Sequence, residues 1–350
     1  MATLGEIFTF ENLKKSHELC RRDKQHKRGT IMFEMDLARN LAELVSRLCS
    51  RKYKPGKHKQ FKLYDPKERI IDALPYKDRV VLMCFSKFVL EPMLDSRLVY
   101  DNAASRKNKG TSFAIGRLHE FMRQSFRQSG CNDAYFLKCD ISKYFASLDH
   151  DTLINKLGRI GFSDDEMWFI DVVVRSYGTC GVPLGNHTSQ WFAVLYLDDL
   201  DRHIKEKLRV KWYSRYMDDF ILIHHDKEFL RKCKDEIDNM CQQLKLRLNK
   251  DKTQIGRLGD GLDYLGFNHR LTSTGKIVRR VRASAMVRQK RFLKTIGCLY
   301  QNGEVDKAWL ETRKRAFLNH LKGTDGVNVI KHHMRKIRKS KSRVLTKPPK

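Results

Sequence analysis

Residues 212–223 read WYSRYMDDFILI, and this stretch decides the expected fold. The aromatic-rich run before Asp218 and Asp219 is typical of a β-strand, and the apolar run after them is typical of a buried strand. The sequence therefore predicts a β-hairpin with two adjacent aspartates at its tip. Two carboxylates are costly to bury unless a cation neutralises them, which favours a divalent-metal site. A solvated acidic turn is the alternative, and a lone Asp-Asp pair would favour it.

Six further segments surround this hairpin in sequence. Asp140 follows an apolar, strand-like run, and Phe145 lies five residues later. A Gly/Pro loop at 181–190 (GVPLGNHTSQ) leads into a helix. The other four segments are 69–79, 104–111, 246–253 and 263–267. In their order, these segments and the Tyr-x-Asp-Asp box resemble the reverse transcriptases, the family of RNA-directed DNA polymerases.

The resemblance implies an α+β fold, a right-hand polymerase with fingers, palm and helical thumb. An antiparallel palm sheet would carry the Tyr-x-Asp-Asp hairpin. The implied organisation is a basic helical N-terminal extension at 1–58, fingers and palm at 59–270, a helical thumb at 271–325 and a basic C-terminal tail at 326–350.

The same resemblance implies the catalytic groups. Nucleotidyl transfer suits two Mg²⁺ ions, or Mn²⁺ in their place, held by carboxylates and substrate phosphates. Asp140 and Asp218 match the residues that bridge both ions, with Asp219 as a secondary ligand and the carbonyl of Ile141 as an added one. Lys252 matches a lysine that protonates the leaving pyrophosphate. An exposed lysine at a helix end is the alternative for that position.

Six residues are expected at the nucleotide, and one of them is Ile141. Lys67 and Arg69 would hold the triphosphate, although a surface pair is the alternative. Phe145 matches an aromatic residue that excludes the ribose 2′-hydroxyl, with simple core packing as the alternative. Leu184, beside Gly185, replaces the glutamine common in the family, so base discrimination there would rely on shape.

The charge of the chain predicts a polyanionic partner. The 70 Lys and Arg residues exceed the 41 Asp and Glu residues, giving a net charge of +29. Cations alternate with apolar residues over 279–294, as suits a thumb helix along a template–primer backbone. The cations predicted to bind nucleic acid are Arg279, Arg280, Arg282, Arg288, Lys290 and Arg291. Residues 331–350 add nine Lys or Arg and no acidic residue, which predicts a basic tail.

Composition also indicates the compartment. Nine cysteines without a Cys-x-x-C pair predict free thiols in a reducing cytoplasm. No run approaches the roughly 20 apolar residues of a membrane span, and residues 1–6 lack a signal-peptide pattern. We therefore expect a cytoplasmic protein with no membrane partner.

A second acidic group lies in a helical pattern. The predicted helix at 189–200 contains Asp198 and Asp199, and Asp201 follows it. Successive helical residues diverge by about 100°, so these carboxylates cannot converge on a metal as hairpin residues can. The pattern predicts a solvated face for them.

The predicted function is synthesis of cDNA from an RNA template. Leu184-Gly185, Ser189-Gln190 and the stretch 106–111 resemble the enzymes of diversity-generating retroelements, although Asn108 stands where that subgroup has glycine. A phage-defence enzyme that copies an associated non-coding RNA is the first alternative. A catalytically idle RNA-binding module is another, and an RNA chaperone or maturase a third. The implied partners are an RNA template, a DNA or RNA primer, dNTPs, a structured non-coding RNA and an accessory protein or second copy.

Overall fold

The computed structural model describes residues 2–64, 68–321 and 324 of the 350-residue chain. Its internal contacts divide the chain into two compact units. The first unit combines Met1–Ala114, Leu137–Leu222 and Glu228–Gln254, and the second combines Ile115–Phe136, Ile223–Lys227 and Ile255–Lys350. Each unit thus draws on three separate segments, and the domain boundaries expected at 58, 270 and 325 stay a prediction.

Four helices open the first unit, and local capping explains where the first two begin. The Thr3 side chain accepts a hydrogen bond from the backbone of Glu6, whose carboxylate bonds back to Thr3. Thr9 caps the second helix through the backbone N–H of Asn12. The helices are α1 (Leu4–Ile7), α2 (Phe10–Arg21), α3 (Arg28–Glu34) and α4 (Leu37–Cys49). The apolar face of α4 is buried, as its spacing dictates.

A hairpin and a continuous helical stretch follow. Strands β1 (Lys59–Leu63) and β2 (Arg69–Ala73) pair antiparallel, with Lys59 opposite Ala73. Every residue of β1 is exposed, whereas Asp72 of β2 is buried. The helical stretch comprises α5 (Tyr76–Phe85), a π-helical turn (Ser86–Leu90) and α6 (Glu91–Leu94). Most of α5 is buried, in keeping with its nearly continuous apolar sequence.

The remaining helices connect the strands. They are α7 (Thr111–Ser129), α8 (His150–Gly158), α9 (Asp164–Arg175), α10 (His187–Tyr196), α11 (Asp198–Arg202) and α12 (Lys227–Gln243). A 3₁₀ turn (Tyr144–Ser147) precedes α8, and a π-helical turn (His203–Lys207) follows α11. Helix α10 is buried along nearly its whole length.

Three strands carry the predicted site. They are β3 (Tyr135–Asp140), β4 (Trp212–Tyr216) and β5 (Asp219–His224), hydrogen-bonded in the order β4-β5-β3. Strands β3 and β5 are buried over most of their length, which explains their continuous apolar runs. The predicted α+β class and the β-hairpin at 212–223 are confirmed.

The second unit contains a meander and a pair of helices. Its strands are β6 (Gln254–Arg257), β7 (Leu262–Tyr264), β8 (Phe267–Leu271) and β9 (Ile277–Val281), and its helices are α13 (Ala283–Gln301) and α14 (Lys307–His320). Strand β8 pairs antiparallel with β7 and β9. Ile115, Phe267, Leu293, Ile296 and Leu310 form its buried core. Within the described part of the chain, no helix is long and apolar enough to cross a membrane.

Candidate active site

Asp218 and Asp219 lie at the turn of the β4–β5 hairpin. Met217 and Asp218 form the two-residue connection, and Asp219 begins β5. Met217 has a φ of 56°, in a left-handed region that costs a non-glycine residue about 1–2 kcal/mol. The turn therefore has a conformation that its own sequence does not favour, and neighbouring residues must stabilise it.

Asp140 ends β3, the strand next to β5. The segment 246–253 lies against this end, because the Asn249 N–H donates to the Asp140 carbonyl at 2.8 Å and Ile141 bridges to Leu248. The same segment brings Lys252 Nζ to 2.6 Å from Asp140 Oδ1. The predicted carboxylate and the predicted general acid, 112 residues apart in sequence, are therefore in contact.

The electrostatic setting of Asp218 is that of one member of a like-charged pair. Burial raises the pKa of Asp218, and the charge of Asp140 raises it further. The positive charges of Lys252 and Arg215 offset only part of this increase in the pKa of Asp218. A cation bound between Asp140 and Asp218 would remove this repulsion.

Asp219 has a different environment. Its Oδ1 lies 3.6 Å from Nζ of Lys138, a buried lysine on β3. Among residues 2–64, 68–321 and 324, no group of three or more His, Cys, Asp or Glu side chains could hold a metal ion. A pair of carboxylates together with substrate phosphates and water is nevertheless a donor set that suits Mg²⁺. Asp140 and Asp218 fit that set, and Asp219 and the carbonyl of Ile141 stay predicted ligands.

The Gly/Pro loop packs on the turn that carries Phe145. The Val182 N–H donates to the Phe145 carbonyl at 2.8 Å. Gly181 has a φ of 84°, and a Cβ there would lie 2.9 Å from the Ala146 carbonyl oxygen, so only glycine fits. Phe145 is half-buried, and its ring stands edge-on to Tyr144. The loop and Phe145 thus form one packed unit.

The other residues predicted to contact the nucleotide differ in how far they are exposed. Leu184 is half-buried, and Gly185, with a φ of 112°, lies beside Ile71 of β2. Arg69 is exposed on β2, and its contact with the triphosphate stays a prediction. Lys67 lies outside the described residues.

A basic cavity that sequence reasoning missed adjoins Asp140. Its volume is about 580 Å³. It lies between the turn after Asp140 and the segment 245–251, and its lining includes Lys143, Lys245, Arg247 and Lys250. Lys245 is paired with Asp149 at 2.9 Å. The spacing of cations in the two loops gives no hint of this cavity, because their contact depends on the Ile141–Leu248 bridge.

One family model matches most of the chain. Residues 58–269 match the family described as "Reverse transcriptase (RNA-dependent DNA polymerase)". The chain belongs to the reverse transcriptase family. The match includes Asp140, the hairpin aspartates and Lys252, so the palm segments identified from the sequence lie within it.

Three proteins to which this reverse transcriptase is similar share between 14% and 26% of its sequence over the compared residues. Protein YkfC of Escherichia coli (strain K12) is 26% identical over 290 residues, covering 69% of this chain and 73% of that protein. Apo telomerase from Candida tropicalis is 14% identical, with a TM-score of 0.47 over 67% of this chain and 52% of that chain. Telomerase from Candida albicans, in complex with the TWJ fragment of telomeric RNA, is 15% identical, with a TM-score of 0.47 over 76% and 55%. The chain spans about half the length of these telomerase chains.

The solvated face predicted for the second acidic group is wrong at Asp201. Asp199 is exposed and pairs with Lys156, but Asp201 is fully buried and pairs with Arg215 of β4. Asp198 is half-buried, and burial raises its pKa. Arg215 was the overlooked signal, because a cation inside a buried strand needs a buried anion.

The predicted nucleic-acid contacts of this reverse transcriptase differ in exposure. The helix expected over 279–294 begins only at Ala283, because Ile277–Val281 pairs with β8 as a strand. Arg280 on β9 and Arg288, Lys290 and Arg291 on α13 are exposed. By contrast, Arg279 packs over the Phe267 ring at 4.9 Å, and Arg282 pairs with Asp263 at 3.3 Å. The four exposed cations are therefore better placed to reach phosphate than the other two.

Proposed function

We propose that the protein is an RNA-directed DNA polymerase that makes cDNA from an RNA template by two-metal-ion nucleotidyl transfer. The observation that carries this proposal is the contact of Lys252 with Asp140, whose charge also raises the pKa of Asp218, in a chain of the reverse transcriptase family. A catalytically idle module would have no reason to keep two mutually repelling carboxylates.

Each residue of the site has a distinct role in this proposal. Two Mg²⁺ ions, when bound, would activate the primer hydroxyl and neutralise the developing phosphate charge. Asp140 and Asp218 hold them, with Asp219 and the Ile141 carbonyl as further ligands. Lys252, already 2.6 Å from Asp140, donates a proton to the leaving pyrophosphate.

The nucleotide occupies the space that the Gly/Pro loop and Phe145 border. Phe145 excludes a ribose 2′-hydroxyl, while Leu184 and Gly185 contact the base pair without a side-chain hydrogen bond. Arg69 and Lys67 bind the triphosphate, since Lys and Arg cations suit phosphate oxygens. Arg280, Arg288, Lys290 and Arg291 contact the template–primer backbone, and Arg279 and Arg282 support them.

The biological setting that we propose is a diversity-generating retroelement. Leu184 and the stretch 106–111 support it, because an apolar residue at the nucleotide weakens base discrimination. In that setting a structured non-coding RNA supplies the template, and an accessory protein or second copy completes the assembly. A phage-defence enzyme has the same chemistry and differs in what its cDNA is for.

The test of polymerase activity is Asp218→Asn. We expect this isosteric change to lower Mg²⁺-dependent dNTP incorporation on an RNA template at least a thousandfold, on the order of the transition-state stabilisation that bound metals supply. RNA binding should stay within about twofold of wild type, because Lys and Arg rather than aspartates supply the attraction to RNA phosphates. The measurements are primer extension and RNA binding on the same preparations.

The matched control is Asp199→Asn, the same change at an exposed aspartate. It should extend primers like the wild type. Wild-type rates from the Asp218→Asn protein would overturn the catalytic assignment.

A further inference from the structure

Arg215 lies in β4, two residues before the strained Met217, and its side chain is 0% exposed. Its guanidinium donates from Nε to Asp201 Oδ1 at 2.7 Å and from Nη2 to Asp201 Oδ2 at 2.5 Å. It also donates from Nη2 to the Val194 carbonyl and from Nη1 to the Met217 carbonyl, each at 2.9 Å. One side chain therefore ties α10 and α11 to the turn that presents Asp218.

Asp201 is the centre of a fully buried network. Besides Arg215, it accepts hydrogen bonds from the Tyr213 hydroxyl at 2.5 Å and from the Asn102 amide at 3.3 Å. A buried ion pair is costly to desolvate, and apolar residues of similar volume often serve stability equally well. Stability alone is therefore a weak reason for an Arg–Asp pair at this position.

The backbone of Arg215 adds a third attachment. Its N–H donates to the Asp101 carbonyl at 3.1 Å, and its carbonyl accepts from the Ala103 N–H at 2.9 Å. The chain on the N-terminal side of the turn is therefore fixed both by its backbone and by its side chain. The carbonyl of Met217, a residue whose φ is 56°, accepts a hydrogen bond from Arg215 Nη1, so the same side chain also contacts the turn itself.

We propose that Arg215 and Asp201 are positioning residues for Asp218. Asp201 holds the guanidinium in one orientation, and the guanidinium holds the Met217 carbonyl, so the turn keeps the Asp218 carboxylate beside Asp140. This inference rests on the proposed polymerase function. Loosening the network lets the strained turn relax, which weakens metal binding and slows the chemical step. Nucleotide and RNA binding do not depend on the turn and change little.

Tyr213→Phe is the mildest test, because it removes one donor to Asp201 and leaves the ring in place. Its matched control is Tyr53→Phe, which removes an equivalent bond between a buried tyrosine and buried Asp78, at 2.9 Å. Both variants should lower the melting temperature to a similar extent. Only Tyr213→Phe should lower kcat, by about three- to tenfold, with KM for dNTP unchanged.

Arg215→Lys is the stronger test, since lysine keeps the charge but cannot hold Asp201 and Met217 together. We expect kcat to fall about a hundredfold, the effect of a misplacement near 1 Å. The Mg²⁺ concentration for half-maximal activity should rise at least threefold. Binding of Mn²⁺ to the protein without substrate, followed by electron paramagnetic resonance, should weaken in parallel.

Two results separate this inference from the proposed function. If Tyr213→Phe matches Tyr53→Phe in kcat per folded molecule and in Mn²⁺ affinity, the network is structural only and the inference is overturned. If the wild type does not polymerise on RNA, the proposed function fails, and Mn²⁺ affinity alone still decides whether the network positions Asp218. Should Arg215→Lys fail to fold, the Tyr213→Phe comparison decides.

Discussion

Leu184 lies in the Gly/Pro loop, in which the Val182 N–H donates to the Phe145 carbonyl. The resemblance to reverse transcriptases predicts that the incoming nucleotide binds at this loop. Its apolar side chain cannot form an orienting hydrogen bond, and losing such a bond reduces discrimination by ~1–3 kcal/mol. We expect Leu184→Gln to lower misincorporation roughly ten- to a hundredfold, most clearly opposite template adenine. Sequencing cDNA that both proteins make from one defined RNA measures the effect.

Leu184→Met is the control for this prediction, because it changes shape without adding a hydrogen-bonding amide. Its error spectrum should resemble the wild type. Equal and low error rates in all three proteins would contradict a mutagenic role for Leu184 and favour the phage-defence alternative.

Single residues also show what sequence reasoning could reach. Asp218 and Asp219 were predictable because aromatic and apolar runs on both sides indicate strands, and a short hydrophilic break between strands indicates a turn. Asp201 was not, because its burial depends on Arg215, fourteen residues later in sequence. Helical periodicity describes where a side chain points on its own helix and says nothing about a charge supplied by another strand.

At the scale of elements, α7 and β8 carry a second polar pair, in which His269 is buried and His119 is half-buried. His119 Nε2 lies 2.9 Å from His269 Nδ1. Burial is the largest cause of a pKa lowered to about 4 at His119 and to about 3 at His269, and the nearby charge of Arg279 contributes to both shifts. One ring must donate and the other accept, so the accepting ring is neutral, and the lowered pKa values keep both rings neutral at neutral pH.

This pair predicts acid sensitivity. Both pKa values lie below the ordinary value of 6.5, so the unfolded chain binds more protons below that pH. The contribution of the two neutral histidines to folding stability is therefore complete at neutral pH and is lost as the pH falls from 6.5 towards 4. At pH 5 the loss is roughly 2 kcal/mol per histidine, or a few degrees in melting temperature. His119→Gln with His269→Gln should flatten the melting temperature between pH 7.5 and 5.

The control for acid sensitivity is His26→Gln, at an exposed histidine of the first unit. Its melting temperature should follow the wild-type pH dependence. A double variant as acid-sensitive as the wild type would show that other groups cause the loss.

The elements themselves follow from sequence to different degrees. The strand runs and the capped helices have local causes, such as the Thr3–Glu6 capping box. The division of the chain into two units, each assembled from three segments, has no local cause. It depends on contacts such as those of Ile115 with Phe267, which no periodicity within a single element encodes.

For the whole molecule, the net charge of +29 makes salt dependence the most general prediction. Binding to RNA releases counterions, so log affinity should fall linearly with log salt, with a slope set by the number of phosphate contacts. The exposed cations of α13 are the expected source of such contacts. Replacing Arg288, Lys290 and Arg291 by alanine should then make the slope of log affinity against log salt shallower by about 2–3 when a double-stranded substrate is bound. Replacing Arg231, Lys232 and Lys234, three exposed cations of α12, removes the same charge and tests whether position matters. Equal changes in both variants would mean that net charge alone attracts RNA, whereas a change confined to α13 would place the template–primer backbone along that helix.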